Sequence, residues 1–203
     1  MAARKVVLQM GMSLDGFVAG SPSGDGEPIA VFARSASQPP EFDPWGLPPE
    51  APELTSRKLE WVRAAGAHVM GRTTYEQMAA FWPSATDDYA APMNEIPKVV
   101  FSKTLARAEW PETRIARGDV GEEIARMKEE TGDDMIVHGG ARFAQSLSRL
   151  GLIDEYRLVI HPIALSAGLT LFADLAKPLH LTLVEAQTFE GGAALHLYRP
   201  SDR

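Results

Sequence analysis

Apolar positions along the chain fall into short runs with two different periods. Val6, Val7 and Leu8 form a β-branched-rich run that continues through Gln9 and Met10, and it predicts a first strand. Phe17, Val18 and Ala19 read as the continuation of that strand past an interruption at Asp15-Gly16. Similar runs at Ala67–Met70, Lys98–Phe101, Thr113–Ala116 and Met135–Val137 predict further buried strands. Between them the period changes to that of a helix. Leu54, Leu59, Val62 and Ala65 recur at helical steps, with Thr55 or Ser56 as the cap and Gly66 as the stop. Thr74–Phe81, Val120–Thr131 and Ala141–Leu150 also read as helices. After that the pattern is strand-like only, at Glu155–Ile160, Leu179–Glu185 and Ala193–Tyr198. Strands that alternate with helices and then give way to a β-rich end predict an α/β fold. Its central sheet is mostly parallel, with antiparallel strands at the C-terminal edge and helices on both faces.

One segment fits neither period. From Gly20 to Pro52 prolines and glycines are too dense for a helix or a central strand. A loop of this length reads either as a lid over a site or as a surface decoration. It does not read as a domain linker, because the strand before it has too little core to fold alone, so residues 1–203 are expected to form one domain.

Composition narrows the function. Apolar residues make up 45% and charged residues 23% of 203 residues, as in a globular protein rather than a disordered one. Cysteine is absent, which excludes disulfides, a thiolate nucleophile, iron–sulfur clusters and thiolate zinc sites. The net charge of −7 argues against non-specific nucleic-acid binding. No apolar run approaches the roughly 20 residues that span a bilayer, and the N-terminus lacks a signal-peptide core, so a cytoplasmic protein is expected. The histidines show no H-x-x-x-H spacing, and no metal is expected.

Three strand ends carry the candidate chemistry. Each closes in a small or polar turn with a basic residue: Gly71-Arg72-Thr73-Thr74, Ser102-Lys103-Thr104, and His138-Gly139-Gly140-Ala141-Arg142. Ligands of parallel sheets sit outside the carboxyl ends of strands, and helix starts offer free N–H groups to phosphate. Each turn taken alone is ordinary turn chemistry. Three basic strand ends in an acidic chain point together to a polyanion of nucleotide size. The G-x-G-x-x-G and G-x-x-x-x-G-K-[ST] fingerprints are both absent. Asp15 reads either as an acid/base or substrate anchor facing a cleft, or as the residue that makes the Asp15-Gly16 turn. Trp82, after a short helix, reads as a stacking surface for a substrate ring or as packing.

Taken in order, these segments resemble a known family. Ser13-Leu14-Asp15-Gly16-Phe17-Val18-Ala19, Val69–Glu76, Lys98–Leu105, Val137-His138-Gly139-Gly140 with Gly151–Glu155, and Pro162–Phe172 are similar to five motifs of the dihydrofolate-reductase-like proteins. The type is that of the reductase domain at the C-terminus of the riboflavin-biosynthesis deaminase–reductase. The likeness is collinear from about Lys5 to Tyr198, and a stand-alone member without a deaminase domain is expected.

The resemblance implies a dihydrofolate-reductase-like three-layer fold with NADPH as cofactor. It further implies a hydride transfer to a small pyrimidine- or pterin-like substrate, and a homodimer. It places Gly71, Arg72, Thr73 and Thr74 at the dinucleotide phosphates. Ser102, Lys103 and Thr104 fall at the adenosine 2′-phosphate, and Gly139, Gly140, Ala141, Arg142 and Phe143 at the pyrophosphate. Asp15 falls at the reacting end, where it or a water it holds would deliver a proton or anchor substrate, with Trp82 walling the substrate. Where the riboflavin-pathway reductases carry an acidic residue before the Gly pair, this chain has His138. The competing reading is a nucleotide-binding or regulatory dimer that keeps the cofactor cleft without turnover.

Overall fold

The computed structural model describes residues 3–21, 28–32 and 44–201. Of the proline-dense segment, residues 22–27 and 33–43 lie outside them, and with them the question whether it forms a lid. The chain order begins with β1 (Val6–Ser13), β2 (Phe17–Gly20), β3 (Ile29–Ala30), α1 (Pro52–Arg63), β4 (Ala67–Gly71) and α2 (Arg72–Phe81). It continues with α3 (Ala90–Glu95), β5 (Lys98–Phe101), β6 (Thr113–Ala116), α4 (Val120–Glu129), β7 (Met135–Val137) and α5 (Ala141–Arg149). The last part holds β8 (Glu155–His161), β9 (Leu169–Thr170), β10 (Leu181–Thr188) and β11 (Ala194–Pro200).

Eight strands form one sheet in the order β10-β11-β8-β1-β7-β4-β5-β6. From β8 to β6 all neighbours pair in parallel, while β11 runs antiparallel to both β8 and β10. The alternation of strand and helix and the β-rich end therefore produce the expected three layers. Val6 and Leu8 of β1 are fully buried because α4 and α5 cover that face with Ile124, Met127, Ala144 and Leu147. On the opposite face α1 contributes Val62 and α3 contributes Met93, packed with Met70 and Val100, while Leu54 of α1 packs on Val159 and Leu195. Each such buried aliphatic side chain contributes about 1.5–3 kcal/mol.

Several boundaries differ from the sequence pattern for local reasons. Phe17–Ala19 does not prolong β1. The chain turns at Leu14–Gly16, where Gly16 has φ +90°, and β2 leaves for a second small sheet, β3-β2-β9. Helix α1 starts before Thr55 and Ser56, with Pro52 in its first turn and no side-chain cap, since Pro presets the helical φ. Thr55 instead donates its hydroxyl to the Glu50 carboxylate at 2.9 Å. Helix α2 begins at Arg72 directly against β4, two residues before the expected start at Thr74.

The six-residue α3 is too short to show a period, and it is held by an unusual cap. Lys98, the first residue of β5, is buried, and its Nζ donates to the carbonyls of Met93 (3.1 Å), Asn94 (2.7 Å) and Ile96 (2.8 Å). The ammonium thus satisfies the carbonyls at the helix end and complements its dipole. Burial lowers the Lys98 pKa to about 8.

Candidate functional site

The carboxyl edge of the parallel strands brings the three basic turns together. Gly71 caps α2 and Gly140 caps α5, and neither helix start has a side-chain cap. Away from this edge, α4 is capped by the Asp119 carboxylate, which accepts from the N–H groups of Gly121 and Glu122. The two starts at the edge thus keep donors available for an external anion. Glycine lets the two turns close on each other. A Cβ on Gly140, at φ +77°, would lie 2.6 Å from Thr74 Oγ1, and one on Gly71 would lie 3.2 Å from the Phe143 Cβ. Phe143 stacks obliquely on Phe101, with centroids 5.2 Å apart, and ties the start of α5 to the end of β5.

Arg72, Ser102 and Thr104 also converge. Arg72 Nη1 donates to Thr104 Oγ1 at 2.7 Å, and its Nε donates to Glu76 at 2.7 Å. Ser102 Oγ accepts from the N–H groups of Thr104 (3.3 Å) and Leu105 (3.0 Å), which bends the loop after β5. Lys103, Thr73 and Arg142 are exposed along the same edge. Sequence reasoning missed Arg117, one residue beyond β6. Its guanidinium donates to the carbonyls of Leu105 (2.6 Å), Ala106 (3.2 Å) and Lys103 (3.4 Å) and so props up the Ser102–Thr104 loop. The signal was a basic residue just past a strand end, but only the β5–β6 pairing puts it beside that loop.

Next to these turns lies a cleft of about 460 Å³ whose floor is β1 and β8. Trp82 lines it, together with Phe81, Tyr89 and Met93. The described ends of the proline-dense segment, Ala30–Phe32 and Glu50, close its side. Lys58 Nζ lies 2.6 Å from the buried Glu50 carboxylate, so this charge pair is internal to the wall.

The histidines here are neutral. Burial, reinforced by Lys58 and partly opposed by Glu50, lowers the His161 pKa to about 4. His68 is lowered to about 4, mainly by burial, and His138 well below its ordinary value by burial and by His68. His138 Nε2 lies 2.8 Å from His68 Nδ1, and His68 Nε2 lies 3.1 Å from the Pro92 carbonyl. Burial together with the charges of Glu50 and Asp87 raises the Tyr89 hydroxyl, which donates to the Thr55 carbonyl at 2.9 Å. Sequence reasoning missed Gln9, Lys58, Tyr89 and His161, because each stands on a different element.

Asp15, anticipated at the reacting end, does not line the cleft. Its carboxylate accepts from Ser13 Oγ (2.6 Å) and from the N–H groups of Leu165 (3.0 Å) and Ser166 (2.7 Å). Those bonds, the Ser13 hydroxyl first, lower its pKa to about 2. A carboxylate so engaged carries no proton near neutral pH. The expectation that Asp15 delivers the proton gives way to a clasp between the Asp15-Gly16 turn and the Leu165–Ser166 turn, where Ser166 adopts φ +60°.

Comparison with known proteins agrees with this geometry. Residues 4–195 match the sequence profile of the RibD C-terminal domain. The Bacillus subtilis protein YyaP is 34% identical over 101 residues, which is 50% of this chain and 53% of that protein, so the matched part spans about half of YyaP. The Thermotoga maritima diaminohydroxyphosphoribosylaminopyrimidine deaminase/5-amino-6-(5-phosphoribosylamino)uracil reductase superposes with a TM-score of 0.63 at 16% identity, covering 98% of this chain and 57% of that one. Dihydrofolate reductase from Enterococcus faecalis, solved in complex with NADP(H), superposes with a TM-score of 0.56 at 14% identity over 98% of this chain and 97% of that one. The architecture is dihydrofolate-reductase-like.

Proposed function

Since the chain belongs to the RibD C-terminal domain family, we propose that it is an NADPH-dependent reductase acting on a small heterocyclic, pyrimidine- or pterin-like substrate. The observation that carries this reading is the contact between the two uncapped helix starts, with an arginine–hydroxyl cluster on one side and a mostly apolar cleft on the other. The chain fits a dinucleotide. Gly139 and Gly140, both at positive φ, let their turn pack closely on Met10 and Thr74, and the first turns of α2 and α5 offer N–H groups to phosphate oxygens. The Enterococcus enzyme with NADP(H) shares this fold, and the Thermotoga protein's name gives a uracil reductase on it.

In this reading Gly71, Thr73, Thr74, Gly139, Gly140, Ala141, Arg142 and Phe143 hold the pyrophosphate. Arg72, Ser102, Lys103 and Thr104 hold the 2′-phosphate, with Arg117 as the positioning residue of their loop. When bound, the nicotinamide supplies the hydride. The chain's residues orient the two partners and, through Trp82, Phe81 and Tyr89, keep water from the transfer. Asp15 contributes by clasping the turn that packs against β2, whose Val18 lines the cleft. The outer strand β10 is exposed along both faces, with Leu183 and Val184 at 49% and 46%, and this supports pairing of two copies through the C-terminal strands.

Thermal unfolding with NADPH, NADH and their oxidised forms tests the assignment. At 100 times its dissociation constant NADPH stabilises by about 2.7 kcal/mol. Ser102→Ala lowers that effect for NADPH and leaves NADH unaffected. Absence of a shift with every nicotinamide nucleotide overturns the reading. The engaged, ionised Asp15 specifically favours a second reading, a cofactor-binding regulator without turnover. Substrate-dependent NADPH oxidation separates the two.

A further inference from the structure

Reduction of a polar double bond needs a hydride at carbon and a proton at the other atom. Asp15, ionised and outside the cleft, supplies no proton. Most groups that line the cleft supply none either. The Thr55 hydroxyl donates to Glu50, and the Tyr89 hydroxyl, its pKa raised by burial, donates to the Thr55 carbonyl. Glu50 accepts from Thr55 with one carboxylate oxygen and from Lys58 with the other. The Asp87 carboxylate accepts from the Tyr89 N–H. His138 and His161 are held neutral by burial, so neither carries a second proton near neutral pH.

Lys58 differs from all of these. Thr55, Lys58 and Val62 stand at steps of three and four residues on α1, and this stripe of the helix lines the cleft. Lys58 Nζ donates one N–H to Glu50 Oε2 at 2.6 Å. An ammonium has three, and the other two have no partner among the described residues. Glu50 is buried and anchored by the Thr55 hydroxyl, so it holds the ammonium at one place in the wall. The Lys58 side chain stays 25% exposed, which lets water reach it. His161, at the end of β8, feels the Lys58 charge, since that charge adds to the lowering of its pKa.

We propose that Lys58 is the catalytic acid of this cleft, with Glu50 as its positioning residue. The inference rests on the reductase reading. As the substrate carbon takes a hydride from the reduced nicotinamide nucleotide, the π pair of the double bond moves to the partner atom, and that atom takes a proton from Nζ. The nucleotide is left oxidised, Lys58 is left as a neutral amine beside Glu50, and water returns the proton. The oxidised ring is cationic, so positive charge enters the cleft as the substrate needs the proton, and it loosens the proton on Lys58.

Calorimetry tests this without a substrate. NADPH and NADP⁺ are each titrated into the protein at about pH 9, where lysines begin to release protons, in buffers of different ionisation enthalpy. The difference in protons released isolates the ring charge, because Lys98, Lys103 and the phosphate contacts meet both nucleotides alike. With the wild type, NADP⁺ is expected to release about half a proton more than NADPH. Lys58→Arg keeps the pair with Glu50 but holds its proton, so the difference falls to zero while both nucleotides still bind. Lys58→Met also removes the difference, and it binds NADP⁺ about tenfold more tightly relative to NADPH. Should Lys58→Met fail to fold with Glu50 buried and unpaired, Lys58→Arg decides alone. Glu50→Gln moves the extra release to lower pH, and no such movement overturns the role of Glu50. Equal release by the two nucleotides in the wild type, or a difference that survives in Lys58→Arg, overturns the proposal and leaves the cofactor site standing. Binding of neither nucleotide overturns the reductase reading, and the proposal falls with it.

Discussion

Arg72, Lys103 and Thr104 stand in solvent at one end of the sheet's carboxyl edge, while at the other end Gln9, Glu50, His138 and His161 line a cleft. At the exposed end the ion pair between Arg72 and Glu76 contributes little by itself, because water screens it. Charge there is held at low cost, as the proposed binding of a polyanion requires. At the cleft end the same kinds of group are expensive. Burial drives His68 and His161 neutral, pairs Glu50 with Lys58 and leaves the Gln9 oxygen without a donor among the described residues. Binding at the first end adds interactions to groups already solvated. A ligand at the second would have to replace partners that the described residues do not supply, which raises the cost of a poor fit there.

The largest effect expected from breaking this contrast is at Lys98. Lys98→Met leaves three carbonyls at the end of α3 without their donor and loosens the wall that carries Met93 and Tyr89. A loss of about 3 kcal/mol in urea unfolding is expected. A loss under about 1 kcal/mol would mean that water caps α3 equally well. Next is Gly140→Ala, which forces a left-handed φ on alanine and a Cβ against Thr74 Oγ1. It is expected to cost about 2 kcal/mol of stability and to abolish nucleotide-dependent stabilisation. Stabilisation by NADPH that survives would take the contact between the two helix starts out of the phosphate site.

A smaller effect is expected at Arg72, which is exposed. Arg72→Ala weakens NADPH about tenfold relative to NADH in a fluorescence titration, with little change in melting temperature. Equal weakening of the two cofactors would take Arg72 off the 2′-phosphate. The mildest contrast is with pH. His68 and His161 have folded pKa values near 4, below the unfolded value near 6.5, so the unfolded chain binds more protons between these limits. Stability therefore falls as pH drops from about 6.5 toward 4. Asp15, depressed to about 2, loses its contribution only below that window. A melting temperature that is flat from pH 7 to 5 would contradict the neutral, buried histidines.

How much of this was legible follows from where each signal resides. The strand ends at Gly71–Thr74, Ser102–Thr104 and Gly139–Phe143 are local. Glycine, hydroxyl and basic residues beside a run of apolar ones mark a strand-to-helix turn whatever surrounds it. Trp82 follows a visible helix end, and the fold sets it in the cleft wall. Asp15 was legible as a special position but not in its role. Ser13 is two residues away, whereas the Leu165 and Ser166 amides that hold the carboxylate are 150 and 151 residues away. The same distance in sequence hid Arg117, which serves a loop it meets only through strand pairing. It also hid α3, whose anchor is a lysine that the pattern places on the next strand.

The sequence by itself determined the layers, the parallel run of strands with its C-terminal reversal, and the basic turns at the strand ends, because periodicity and turn chemistry act within a few residues. Only the tertiary structure decided which polar groups are sunk and which are wet. That partition sets the neutral histidines, the Gln9 oxygen without a partner among the described residues, and the ionised Asp15. Desolvation and hydrogen bonding depend on what the fold brings within a few ångströms, and those neighbours are distant along the chain.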